Sequence, residues 1–145
     1  MKRLTAVGLA LVLVAAAACG GGNSSGTIAG PTGTVVTDTF TGTVALPVAG
    51  VFQADIHPFT VAVAGTVSVT LVSAGPPPTI TMGLAIGNPS STGGCSILSG
   101  GSTTTSAGTT AQLSGPLAAG AYCVAVVDIG NALQPVVYTV TVAHT

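Results

Sequence analysis

Two runs of alternating apolar residues near the end of the sequence constrain the fold most. Apolar residues fall at every second position from Tyr122 to Val126, and again from Val136 to Val142. This period places apolar side chains on one side of a pleated strand. Gly130-Asn131 lies between the runs, and these residue types favour a turn. We interpret the two runs as the closing β-hairpin of a β-sandwich.

A second pair of alternating runs predicts another hairpin earlier in the chain. Phe59–Val63 and Val67–Leu71 alternate in the same way, and Ala64-Gly65 predicts a tight turn between them. Proline lacks a backbone donor, so Gly75–Pro78 is predicted to be a loop. The Gly/Ser/Thr composition of Gly100–Gly108 predicts an exposed polar loop.

No segment shows a helical stripe, and shorter runs complete an all-β prediction. They predict strands at Val35–Thr41, Val51–Ile56, Ile80–Ile86, Cys95–Leu98 and Thr109–Leu113, with Thr43–Leu46 either continuing the first strand or forming a short second one. The total of about eight strands suits two packed antiparallel sheets. The fold class we expect is therefore an antiparallel two-sheet β-sandwich.

The N-terminus is typical of an export signal. Lys2 and Arg3 precede an uncharged apolar run, Leu4–Ala18, which is shorter than the ~20 residues a membrane-spanning helix needs. The segment Val14–Cys19, VAAAAC, resembles the bacterial lipobox, which implies cleavage after residue 18 and acylation of Cys19. The alternative is an ordinary secretory signal with a cysteine nearby.

We expect residues 1–18 to be the signal peptide, 19–33 a lipid-anchored Gly/Ser-rich tether and 34–145 the folded domain. Several acyl chains would hold the protein at a membrane. Gly20 follows the cysteine, and by resemblance to Gram-negative lipoproteins the lack of Asp there favours the outer membrane of the cell envelope.

Beyond residue 19 the chain is almost free of charge. Asp38, Asp55 and Asp128 are its only Asp or Glu residues there, it has no Lys or Arg, and its histidines are His57 and His144. Nucleic-acid binding needs a basic surface and is therefore not expected. Uncharged strand edges also favour pairing between molecules, so we predict poor solubility for the untethered domain.

Cys95 and Cys123 are the only cysteines after Cys19. Export places them in an oxidising compartment, which favours a disulfide between them. Cys123 alternates with core positions, so it is predicted to point away from the main core. The alternative is a reactive thiol pair, but the chain has neither a C-x-x-C spacing nor a basic neighbour for either cysteine.

The remaining polar residues give weak candidates for sites. Asp55 and His57 share one side of an extended segment, but no serine lies in a nucleophile elbow that would complete a hydrolase triad. Weak calcium candidates are Asp38, Asp55, Asp128 and Asn131, although no D-x-D-x-D loop is present. We therefore predict neither catalytic residues nor a cofactor.

Three segments in two parts of the chain give it a family resemblance. LAAGAYCVAV (Leu117–Val126) with YTVTV (Tyr138–Val142), and DIHPFTV (Asp55–Val61) followed by Gly65, resemble motifs of bacterial pre-peptidase C-terminal domains. The similarity runs from about Asp38 to Val142. It implies a jelly-roll-like sandwich, and because no peptidase domain accompanies it here, no peptidase-linked role carries over.

The function we expect is that of a non-enzymatic envelope lipoprotein whose sandwich is an interaction or structural module. Its partners would be the membrane, through Cys19, and envelope proteins or polysaccharide. The alternative is a glycan- or calcium-dependent ligand-binding module. An exposed aromatic side chain would favour that alternative, but Tyr122 and Tyr138 are both predicted to face the core.

Overall fold

The computed structural model of the chain describes residues 33–145, and within that range it consists of strands and loops without a helix. No helix of the described part could cross a membrane. The strands are β1 (Val36–Val44), β2 (Ala54–Val61), β3 (Gly65–Gly75), β4 (Thr81–Pro89), β5 (Cys95–Ser106), β6 (Leu113–Leu117), β7 (Gly120–Val127) and β8 (Val136–His144).

The strands form two antiparallel four-stranded sheets, with orders β1-β8-β3-β6 and β2-β7-β4-β5. The antiparallel pairs β4·β5, β3·β6, β2·β7 and β1·β8 are nested in sequence, as if one long hairpin were wrapped over itself. This is the jelly-roll arrangement. The predicted all-β two-sheet sandwich is confirmed.

The core lies between the inner faces of the two sheets, where the predicted alternation places it. The buried side chains at the centre include Leu71, Met82, Leu84, Val124 and Tyr138, each at most 1% exposed. Large inward side chains alternate with Thr, Ser and Ala on the outer faces, because successive residues of a strand point to opposite sides. Both tyrosines face the core, as the sequence predicts.

The two predicted hairpins are wrong as pairings, although their strands exist. β2 and β3 lie in different sheets, and so do β7 and β8. β2 pairs instead with β7, and β8 lies between β1 and β3. Alternation shows that a strand buries one face, and a turn shows that the chain reverses. Neither shows whether the chain returns in the same sheet or crosses to the other.

One segment predicted as a loop and one predicted as a strand also differ from the structure. The predicted polar loop Gly100–Gly108 belongs largely to β5, whose Ser102–Ser106 pairs with β4. Thr109–Leu113 is mostly loop, and the strand begins at Leu113 and includes Pro116. β6 is an edge strand, so one of its sides has no neighbouring strand. Proline is tolerated in such a strand because no backbone N–H is needed for pairing on that free side.

The first strands are also redistributed. Val35–Thr41 and Thr43–Leu46 merge into the single strand β1, and the candidate Val51–Ile56 is replaced by β2, which begins at Ala54. Val51 instead forms an isolated bridge with Val48.

A disulfide joins Cys95 at the start of β5 to Cys123 in β7, as predicted, with their Cα atoms 5.9 Å apart. β4 lies between these strands, and its Gly87 is paired with Cys123. A Cβ atom at Gly87 would overlap the Ser96 carbonyl oxygen and lie 2.8 Å from Cys95 Sγ. Gly87 therefore gives the bridge room to cross β4. The Cys123 side chain points away from the main core, as predicted. It is nevertheless buried where it forms the bridge.

The predicted signal peptide (1–18), acylated Cys19 and nearly all of the tether (19–33) lie outside the described residues.

Candidate functional site

The ionisable side chains of the described residues cluster on one open side of the sandwich. β1 and β2 are the edge strands of opposite sheets and lie next to each other there. Their inward positions, with those of β8, bring together Asp38, Asp55, His57, Tyr138 and His144, which we call the histidine seam. Only Asp128 among the acidic residues lies elsewhere, in the β7–β8 loop.

Tyr138 is the centre of the first half of the seam. Its hydroxyl lies 2.6 Å from Nε2 of His57 and hydrogen-bonds the Asp55 carboxylate. The Tyr138 hydroxyl can accept from Nε2–H of His57 while it donates to the Asp55 carboxylate. Phe40 stacks on the His57 ring with centroids 4.7 Å apart. Burial raises the pKa of Tyr138 well above its ordinary value, and the hydrogen bond and charge of Asp55 raise this pKa further.

Gly42 makes the space for this cluster. It is the direct cross-strand partner of Tyr138 in the β1·β8 ladder. A Cβ atom there would overlap the Asp55 carboxylate and lie 2.6 Å from the Tyr138 hydroxyl. The site therefore requires a residue without a side chain at position 42.

The second half of the seam pairs His144 with Asp38. Nε2 of His144 lies 3.0 Å from the Asp38 carboxylate, and the Phe59 ring packs on the imidazole at 5.5 Å between centroids. His144 is 5% exposed, and its Nδ1 is buried without a hydrogen-bond partner in the described structure. The two halves together tie β1, β2 and β8 with polar contacts.

The seam has the geometry of a structural cluster. The polar partners of both histidine rings are Tyr138 and Asp residues, and no serine hydroxyl of the described residues hydrogen-bonds either ring. Tyr138 is fully buried, and its raised pKa disfavours the phenolate that a nucleophile would need. Asp55 and His57, which the sequence singled out as a pair, are adjacent in space. Oδ2 of Asp55 lies 3.8 Å from Nε2 of His57.

The four calcium candidates are distributed over three places. Asp38 faces His144 and Asp55 faces Tyr138, while one carboxylate oxygen of Asp128 accepts backbone N–H groups from Gly130, Asn131 and Ala132. The Asn131 side chain donates to the Thr81 carbonyl. Within residues 33–145 no three His, Cys, Asp or Glu side chains form a group suited to a metal ion. Calcium binding stays a prediction.

The opposite open side of the sandwich forms a cleft between the edge strands β5 and β6. It encloses about 370 Å³. Ile86, Leu98, Leu113 and Leu117 supply apolar walls, and Gly100 and Gly101 leave backbone exposed at its rim. No charged side chain lines it.

The feature that sequence reasoning missed is an exposed apolar surface on two loops. It consists of Val48, Val51 and Phe52 in the β1–β2 loop and Ile129 and Leu133 in the β7–β8 loop, and we call it the apolar tip. These side chains are 43–94% exposed, Leu133 most of all. A signal was present in part: large apolar residues stand among Gly, Pro and Asn in both loops, although Val51 and Phe52 were assigned to the predicted strand Val51–Ile56.

No protein-family model matches the sequence, and a comparison with curated proteins finds no relative. The two-sheet sandwich is therefore established by the structure, while the resemblance to pre-peptidase C-terminal domains stays a prediction.

Proposed function

We propose that this protein is a non-enzymatic, envelope-anchored lipoprotein whose sandwich acts as an interaction module. The observation that carries this proposal is the Cys95–Cys123 disulfide, because such bridges form and persist in oxidising, extracytoplasmic compartments. The bridge crosses the intervening strand β4 at Gly87, whose missing side chain leaves room for it. It agrees with the export signal and lipobox that the N-terminal sequence predicts.

The interaction role follows from what the fold exposes. Its ionisable groups are largely used internally in the histidine seam and the β7–β8 loop. What remains for a partner is uncharged: Thr- and Ser-rich outer faces, the cleft between β5 and β6, and the apolar tip. Such a surface favours partners recognised by apolar contact and neutral hydrogen bonds.

The test of the anchor is mass spectrometry of the protein recovered from the envelope of an expressing bacterium. We expect an N-terminal peptide that begins at Cys19 and carries acyl chains. Cys19→Ser is the matched control and should leave the protein unacylated. A wild-type peptide with an unmodified Cys19 would refute the lipid anchor. Free thiols at Cys95 and Cys123 would refute the location in an oxidising compartment.

The ligand-binding alternative has one observation in its favour, which is the exposure of Phe52. This aromatic ring is 53% exposed, and exposed rings stack on sugars. Its described neighbours on the apolar tip are aliphatic and offer no side-chain hydrogen bonds to hydroxyl groups. Retention of the protein on a panel of immobilised envelope polysaccharides, lost in Phe52→Ala, would establish the alternative.

A further inference from the structure

The two loops of the apolar tip are in contact and form one surface. A Cβ atom at Gly130 would lie 3.0 Å from the Phe52 ring, so the ring packs directly on the β7–β8 loop. The Asp128 backbone N–H also donates to the Gln53 carbonyl at 3.4 Å. The exposed apolar side chains of both loops therefore lie at one end of the sandwich, where Ile129 also packs against Gly83 of β4.

Some backbone groups of both loops are hydrogen-bonded internally. Val48 and Val51 exchange two backbone hydrogen bonds of 3.0–3.1 Å, and the Gln53 side chain donates to the Val51 carbonyl. In the other loop Asp128 accepts the backbone N–H groups of residues 130–132. Backbone groups that enter hydrocarbon need internal partners, because no water is there to replace them.

The size and charge of the tip favour lipid over a protein partner. Stable protein interfaces use about 20–30 residues a side, and the tip offers a far smaller, projecting set. The tip carries no charged side chain. Of the nearest carboxylates, Asp55 faces Tyr138, while Asp128 accepts backbone N–H groups with one oxygen and has its other oxygen buried without a described partner. Insertion into hydrocarbon would therefore bury no unpaired charge of the tip itself.

The tip lies at the end of the domain opposite the incoming chain. Gly33 is next to Thr145 and Val63, as their close side-chain approaches show. β1 then runs its nine residues before the β1–β2 loop, a length of roughly 30 Å. Within the described residues, the chain therefore begins at the end of the domain away from the tip.

We propose that the apolar tip inserts into the surface of a lipid bilayer, with Phe52 and Leu133 as its principal anchors. This gives the sandwich a membrane contact that is independent of acylation at Cys19. The binding is driven by burial of apolar side chains and does not require anionic headgroups.

Tryptophan fluorescence tests this directly, because the chain contains no tryptophan of its own. The full-length protein with Phe52→Trp is mixed with phosphatidylcholine vesicles whose acyl chains carry bromine, which quenches tryptophan on contact. Ile97→Trp, on the outer face of β5 and similarly exposed, is the matched control. We expect quenching at position 52 and none at position 97. Replacing part of the phosphatidylcholine with phosphatidylglycerol should leave the result unchanged.

A second substitution tests the anchor residues. Leu133→Ser, added to Phe52→Trp, should lower the inserted-to-free ratio roughly tenfold, since burying a leucine is worth about that factor or more. Leu133 is almost fully exposed, so the fold should be kept, which circular dichroism checks. Val35→Ser at the other end of the domain should change nothing.

The inference is overturned by unquenched emission at position 52 or by equal quenching at both positions. It is also overturned by a blue shift at position 52 that rises with protein concentration without vesicles, which would identify a second copy as the occupant. Because the comparison is between two positions of one molecule, it does not depend on the acyl group. An unacylated protein that is quenched at position 52 refutes the anchor and supports the tip.

Discussion

Gly42 shows how one residue decides whether a buried polar cluster forms. Its missing side chain admits the Asp55 carboxylate and the Tyr138 hydroxyl, which lie where a Cβ and its neighbours would be. Tyr138 in turn is held by the β1·β8 register and cannot move away without breaking that ladder. The seam is therefore sensitive to single substitutions.

We expect Gly42→Ala to lower the free energy of unfolding by about 1–3 kcal/mol, the usual range for overpacking a filled interior. Urea unfolding followed by circular dichroism measures the change. Gly115→Ala is the matched control, since a Cβ there meets nothing within 4 Å, and it should be close to neutral. Equal effects of both substitutions would contradict the role assigned to Gly42.

Tyr138 should make stability fall in alkaline solution. Its pKa is raised in the folded state by burial and by Asp55. Above pH about 10, the unfolded chain loses the tyrosine proton while the folded chain keeps it. The free energy of unfolding should then fall by about 1.4 kcal/mol per pH unit from this one group.

Tyr138→Phe removes this titrating group. The free energy of unfolding should then fall less steeply above pH about 10, by about 1.4 kcal/mol per pH unit. The substitution should also cost about 1–3 kcal/mol near neutral pH, because it leaves His57 and Asp55 without a hydrogen-bond partner. Urea unfolding at a series of pH values measures both. An unchanged alkaline slope in the variant would show that Tyr138 is not the group responsible.

Among the elements, β5 and β7 are joined by a covalent link across the intervening strand β4. The disulfide closes a separation of 28 residues, and the chain-entropy treatment gives a stabilisation of about 3.5 kcal/mol for such a loop. We expect a reducing agent to lower the midpoint of urea unfolding accordingly. The double variant Cys95→Ala/Cys123→Ala should start from the lowered midpoint and show no response to reductant.

The elements also show what the sequence could and could not predict. Alternation identified the buried faces of β3, β4, β7 and β8, because burial of one face is a local property of a strand. Strand partners were not predictable, since whether β3 joins β2 or crosses to β8 depends on contacts far away in sequence. The second half of β5, from Gly100, looked like a loop because its Gly, Ser and Thr residues acquire strand geometry only from the ladder with β4.

The candidate site was predictable to a similar extent. The spacing of Asp55 and His57 placed both on one face, and the structure confirms that placement. The contributions of Gly42 and Tyr138 follow from the β1·β8 register, and that of His144 from the packing of β2 against β8. No local pattern contains that information. The apolar tip was missed because Val51 and Phe52 were assigned to a predicted strand, while Val48, Ile129 and Leu133 fell between the predicted strands.

At the scale of the whole molecule, the uncharged strand edges should cause self-association. β5 is an edge strand without Lys, Arg, Asp, Glu or Pro, and such edges pair with other chains. In residues 33–145 produced alone, Thr104→Glu on β5 should move the onset of association to higher concentration. Thr70→Glu on the interior strand β3 adds the same charge and should help less. Light scattering against concentration measures both.

Equal improvement by the two substitutions would mean that net charge, and not the edge of β5, limits solubility. A wild-type domain that stays monomeric at millimolar concentration would contradict the prediction altogether.

The inward placement of the ionisable groups also determines how this molecule meets others. A surface with hardly any field cannot guide an approaching partner over distance, so encounters should occur at the unsteered rate of about 10⁵–10⁶ M⁻¹s⁻¹. Association kinetics should therefore be nearly the same in dilute buffer and in concentrated salt. A protein built in this way gains by being held beside its target, because proximity must provide what electrostatic attraction does not.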